Sequence, residues 1–131
     1  MEVTKEWLQI QLRVDTQRVL GRALMAIYKR QTAAEQFATT TKHNNGVGFS
    51  KPDARIGSIG ARQYMNGGKV QPWVVEIWML KAKDGLPRIC KYAAQLNDIA
   101  EERRIQKLVE LNRAGLTRIA NDLATLQPQA V

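Results

Sequence analysis

From Pro72 to Leu80 this chain reads Pro-Trp-Val-Val-Glu-Ile-Trp-Met-Leu, with Glu76 its only charge. Opened as a helix by the proline, the segment is apolar on nearly every side, and only the centre of a core accepts such a surface. It is expected to run to about residue 83, where Asp84 and Gly85 stop it. The remaining elements must then be amphipathic and pack around it.

The pattern before and after this segment is mostly helical. Val3, Trp7, Ile10 and Val14 fall at helical spacing and run on without a breaker into Val19, Leu20, Leu24, Ile27 and Tyr28. Residues 8–14 also alternate like a half-buried strand, which keeps a short N-terminal strand as the minority alternative. Thr32 and Glu35 form a capping-box pattern, so a second short helix is expected to start there and end in Thr39-Thr40-Thr41. Residues 42–49, rich in Asn and Gly, read as a loop. Ser50, Pro52 and Asp53 then mark a helix start, the hydroxyl capping and the carboxylate facing the positive helix end. That helix, about 51–65, ends at Asn66-Gly67-Gly68. Pro87 opens the longest remaining helix, with Ile89, Tyr92, Ala93, Leu96, Ile99 and Ala100 as its buried face. Glu101 to Arg104 is a solvated stretch, and Ile105, Leu108, Val109 and Leu111 resume the apolar pattern. Gly115 is expected to break it and Thr117 to cap a last helix through Leu126. The expected fold class is all-α, a compact single-domain bundle of five or six helices over residues 1–127, with a Gly/Asn-rich basic loop and a tail at 128–131.

Several functions are excluded or weakened by composition. Among 131 residues there is one Cys, Cys90, and one His, His43, so neither an internal disulfide nor a Cys/His zinc cluster can form. No metal or cofactor is expected. The uninterrupted apolar runs are far shorter than the roughly 20 residues of a membrane-spanning helix, and no secretory signal is expected. A reduced, cytoplasmic protein is the expectation. Cys90 on a helix reads as a small buried hydrophobe, and no acid–base or nucleophile pair assembles, so no enzyme is expected.

The charge is uneven. Of the net +8, residues 38–70 carry Lys42, Lys51, Arg55, Arg62 and Lys69 against Asp53 alone. The same stretch holds six of the nine glycines. Lys51, Arg55 and Arg62 recur at spacings of four and seven, on one side of a helix. With Lys42 and His43 extending the patch, and Asn44, Asn45, Gly46 and Gly48 shaping a backbone-amide seat, they form a candidate phosphate site. The alternative is a merely solvated basic helix face. Gly57 and Gly60, flanked by Arg55 and Arg62, superficially match a backbone-clamping GxxG, but close approach of another helix is favoured. Trp7, Trp73, Trp78 and Tyr92 are expected in the core. Phe49 is expected to staple the helix start, with presentation of its ring to a base or partner pocket as the second reading.

Three stretches carry a resemblance: Tyr28-Lys-Arg-Gln-Thr-Ala-Ala-Glu-Gln, then Asn45-Gly-Val-Gly-Phe-Ser with Asp53-Ala54, then Lys91-Tyr92-Ala-Ala-Gln-Leu96. Across about residues 20–100 the chain resembles a small module encoded by phages, plasmids and other mobile elements near helicase and DNA-processing genes. The chain departs from that pattern between Gly68 and Lys91, where it is longer. The resemblance implies an accessory protein acting around nucleic-acid transactions and transfers no catalytic residue. The expected function is therefore non-catalytic binding of DNA or RNA through its phosphates, as a basic subunit of a nucleoprotein complex. The alternative is a phage or plasmid protein that binds a host protein, inhibiting a defence complex or recruiting a helicase. Homo-oligomerisation through an apolar helix face is possible in either case.

Overall fold

The computed structural model describes residues 2–37 and 47–126. Their helices are α1 (Lys5–Val14), α2 (Thr16–Phe37), α3 (Ala54–Gly67), α4 (Pro72–Met79) and α5 (Ala93–Leu126). Two 3₁₀ turns, Lys51–Asp53 and Arg88–Tyr92, lead into α3 and α5. No strand occurs among the described residues, and a single isolated bridge pairs Lys81 with Pro87. The fold is all-α. The chain divides into two compact units, Met1–Ile99 and Ala100–Val131, so the second begins within α5.

In the first unit, residues 8–14 are helical and the strand alternative falls. The expected run from Val3 to Tyr28 is broken at Asp15. Its Oδ1 accepts from the Arg18 amide at 3.2 Å and caps α2, while the Thr16 hydroxyl donates to the Leu12 carbonyl at 2.7 Å across the corner. The break re-phases the apolar stripe. Leu8 and Leu12 are the buried residues of α1, whereas Ile10 and Val14 are exposed. No new helix starts at Thr32. Nothing there breaks α2, and the Thr32 hydroxyl donates back to the Tyr28 and Lys29 carbonyls. The expected end at Thr39 to Thr41 lies outside the described residues.

α4 sits in the core as expected, with Val74 and Trp78 buried, but it stops at Met79. Leu80 leaves the helix, Ala82 N donates to Leu86 O at 2.8 Å, and Gly85 closes the turn with φ +79°. The Asp84-Gly85 stop therefore shapes a whole loop, and Leu80 becomes exposed. Trp73 is a further correction. At 47% exposure it lies on the open side of α4, because eight residues give too short a helix to be wrapped on every side.

α2 and α3 form the most extensive helix pair, and glycines make it possible. A Cβ on Gly21 would lie 2.2 Å from the Tyr64 ring, and one on Gly60 would lie 2.7 Å from Leu24 Cδ1. Each helix thus lends a bare stretch of backbone to a side chain of the other. The close-approach reading of Gly60 holds, whereas Gly57 makes room not for a helix but for the Phe49 ring of the segment entering α3, 2.5 Å from where its Cβ would lie. Gly21→Ala is expected to destabilise the protein by about 1–2 kcal/mol despite alanine's better helix propensity, because the Tyr64 ring must move. Urea unfolding would show it, and Tyr64→Ala in the same chain should recover part of the loss.

Glutamine side chains substitute for backbone partners where the chain is irregular. Gln17 Nε2 donates to Val70 O at 2.9 Å, while Val70 N donates to Gln17 Oε1 at 2.8 Å. Gln95 holds Gly48 in the same two-way manner, at 2.6 and 3.0 Å.

Beyond Ala100 the described second unit is one helix through Leu126. Gly115 does not break it, and the Thr117 hydroxyl donates back to Arg113 O at 2.9 Å rather than capping a new start. The expected 128–131 tail lies outside the described residues.

Candidate functional site

The segment that enters α3 is held by side chains from α2, from the 3₁₀ turn Arg88–Tyr92 and from the start of α5. Gly48 N donates to Gln95 Oε1, Phe49 N to Gln31 Oε1 at 3.0 Å and Ser50 N to the Tyr92 hydroxyl oxygen at 3.0 Å. Of the amides expected to seat a phosphate, that of Gly48 is thus occupied, as are those of its neighbours Phe49 and Ser50. Gly48, at φ +84°, serves the turn instead. Lys42, His43, Asn44, Asn45 and Gly46 lie outside the described residues.

Asp53 also departs from its expected role. Its side chain is fully buried and makes no cap hydrogen bond; nor does Ser50 cap the turn. Arg88 and Lys91 form ion pairs with the carboxylate, and the Tyr92 hydroxyl donates to Oδ2 at 2.6 Å. Ser50 Oγ joins the cluster, 3.1 Å from both Asp53 Oδ2 and the Tyr92 oxygen and 3.2 Å from Lys91 Nζ. A buried carboxylate must be paired in this way. Phe49, Trp78 and Tyr92 pack edge to face or tilted above it, with centroids 5.7–6.0 Å apart. Phe49 is buried, which favours the staple reading and removes its ring from any partner.

Burial pushes the Asp53 carboxyl up, but hydrogen bonds from Lys91, Tyr92 and Arg88 outweigh it and hold the pKa below the ordinary 3.8. Burial, and then the hydrogen bond to Asp53, pushes Tyr92 up to about 12. Cys90, buried and without a disulfide partner, is raised to about 11 by burial and is no nucleophile at neutral pH. A lowered carboxyl stabilises the fold above its unfolded pKa, and that stability is lost as pH falls through the folded value. A raised tyrosine loses its contribution between about 10 and 12. Stability should therefore fall below pH 3.8, with Asp84 adding in the same direction through the Leu86 amide, and again above 10. Denaturant midpoints against pH check this: Asp53→Asn should flatten the acid limb and Tyr92→Phe the alkaline one.

Because Asp53 is buried and paired, the outer surface of this region is left to cations. Lys51, Arg55, Arg62 and Lys69 are all exposed. Lys51 is on the 3₁₀ turn that leads into α3, and Arg55 and Arg62 are on α3 itself. Arg62 lies over the Tyr28 ring at 5.7 Å. At the end of α3 a depression of about 500 Å³ is lined by Ile59, Arg62, Gln63, Asn66, Gly67, Lys69 and Gln71, without a carboxylate. Lys69, counted in the charge of residues 38–70 but not among the candidate site residues, lines this depression with Arg62. The left-handed Gly68, φ +70°, turns the chain so that Lys69 and Arg62 line the same depression, and the Gly67-Gly68 pair was the signal for that turn. Trp73, alone exposed among the described aromatics, donates from Nε1 to Gln71 Oε1 at 2.7 Å and so flanks this depression.

No group of three or more His, Cys, Asp or Glu among the described residues could hold a metal ion, and no described helix is long and apolar enough to cross a membrane. Comparison of the chain with family models, curated proteins and solved structures finds no match in any of the three.

Proposed function

We propose that this chain is a non-catalytic nucleic-acid-binding accessory protein that takes phosphates on Lys51, Arg55, Arg62 and Lys69. The observation that carries this reading is the depression at the end of α3, lined by two cations and several amides with no acid. Amide and guanidinium groups suit phosphate and sugar oxygens, and a surface without carboxylates does not repel them. The exposed Trp73 beside it favours an unpaired strand, since a base can stack on an indole face while the cations follow the backbone. Service in a phage- or plasmid-borne nucleoprotein complex of the cytoplasm fits the resemblance carried by residues 28–36, 45–54 and 91–96.

Fluorescent single-stranded DNA, duplex DNA and RNA titrated against salt provide the test. Affinity should fall steeply with salt, by a log–log slope of about 0.7 per phosphate contacted on a single strand. Replacing Lys51, Arg55, Arg62 and Lys69 together by alanine should lower affinity at least tenfold and flatten that slope. Affinity that is flat with salt rejects the reading, and an unchanged quadruple variant rejects the site. A protein partner retained after nuclease treatment, without oligonucleotide binding, would favour the host-protein alternative.

A further inference from the structure

The second unit exposes an apolar surface that its own helix cannot bury. Ile105, Val109, Leu116, Ile119 and Leu123 are 48–68% exposed, and with Asn112 they recur at spacings of four, three, four, three and four residues. That is a coiled-coil seam, with Val109, Leu116 and Leu123 at a positions and Ile105, Asn112 and Ile119 at d. Leu108, also exposed, widens it on one side, while Lys107, Glu110, Leu111 and Arg118 fall on the far face. A lone helix of this length is marginal in water, and Gly115 within it costs about a further 1 kcal/mol.

We infer that residues 105–123 of α5 pair with the same residues of further copies of this chain, parallel and in register. Two observations select a copy of the chain as the occupant. The first is Asn112, an amide in an otherwise apolar seam, which is costly to bury beside a leucine or valine. In a parallel, in-register assembly it faces the Asn112 of the next copy, and each amide finds a donor and an acceptor. An antiparallel pairing would set it against an apolar a position. The second is area. Six apolar side chains contribute on the order of 100 Å² each, so two copies bury about 1,200 Å², the lower bound for a stable specific interface. Leucine at a with isoleucine at d, together with the broad seam, favours three or four strands over two.

Sedimentation equilibrium of the full chain, nuclease-treated and at about 0.5 M salt to prevent bridging by nucleic acid, reads the assembly directly. The expected mass is three or four times 14.8 kDa. Leu116→Asp with Ile119→Asp should raise the dissociation constant by about a hundredfold or more while leaving the unfolding of the first unit in place. Asn112→Cys should cross-link to itself on mild oxidation, because the buried Cys90 does not compete. A mass of 14.8 kDa at every concentration overturns the inference. So does an assembly indifferent to the two aspartates, and an assembly in which Asn112→Cys forms no cross-link overturns the parallel register. None of these readouts uses nucleic acid, so they stand or fall apart from the proposed function.

Discussion

Trp78→Ala is expected to cost about 4 kcal/mol of folding free energy, the largest effect of any single truncation in the first unit. The ring is 0% exposed and meets Phe49 at 5.8 Å, Tyr92 at 6.0 Å and the Arg88 guanidinium at 5.6 Å. Removing it leaves a cavity walled by three side chains that are fixed from other directions, so the site cannot collapse. Against a total of about 5–15 kcal/mol for a domain, that loss would bring the unit close to unfolding at body temperature. Trp78→Phe is the informative companion. The buried Nε1 finds no hydrogen-bond partner among the described residues, so phenylalanine forfeits volume but no polar contact seen there, and its cost should stay near 1–2 kcal/mol. Urea midpoints of the two variants against the parent chain decide this. Equal losses would mean that the indole nitrogen is bonded after all.

The second large effect is expected at Asp53. Asp53→Ala removes the acceptor shared by Arg88, Lys91 and Tyr92 and should lower stability by about 3 kcal/mol, or about 15 °C in melting temperature. The figure sits at the low end for a broken buried pair because Arg88 and Lys91 are 32% and 43% exposed and can turn to water. Tyr92 is buried and retains only Ser50, which holds the loss well above that of a surface pair. Asp53→Asn keeps the shape and one acceptor and should lose about half as much. Thermal melts at neutral pH measure both. A melting temperature unchanged by Asp53→Ala would show that the cluster is electrostatically idle.

The helices and the central place of Trp78 were legible in the sequence because periodicity reports burial along one helix. Positions decided between elements were less so. Ile10 and Val14 shared a spacing with Trp7, but the Asp15 cap turned the chain and gave the buried places to Leu8 and Leu12. Asp53 had the look of a helix-start acid, since its partners Arg88, Lys91 and Tyr92 lie more than thirty positions away. The cations of α3 could be read from charge alone; that Lys69 lines the same depression as Arg62 depends on a left-handed glycine and became visible only in three dimensions. Segments far apart in the sequence also meet where the chain enters α3: Gln31, Gly48, Phe49, Ser50, Asp53, Lys91, Tyr92 and Gln95 are joined by hydrogen bonds and ion pairs.

The glutamines that hold irregular backbone limit what evolution can write at those places. At position 95 the side chain must donate and accept at once, over the length of two methylenes. Glutamate lacks the donor, lysine lacks the acceptor and asparagine falls short. Position 17, facing Val70, is under the same restriction. Such sites look interchangeable on any scale of hydropathy or charge, yet both hydrogen bonds at once require the glutamine amide. A distant cousin of this fold, with its surface rewritten and its core repacked, would be betrayed by those two amides long after its basic patch had ceased to be recognisable.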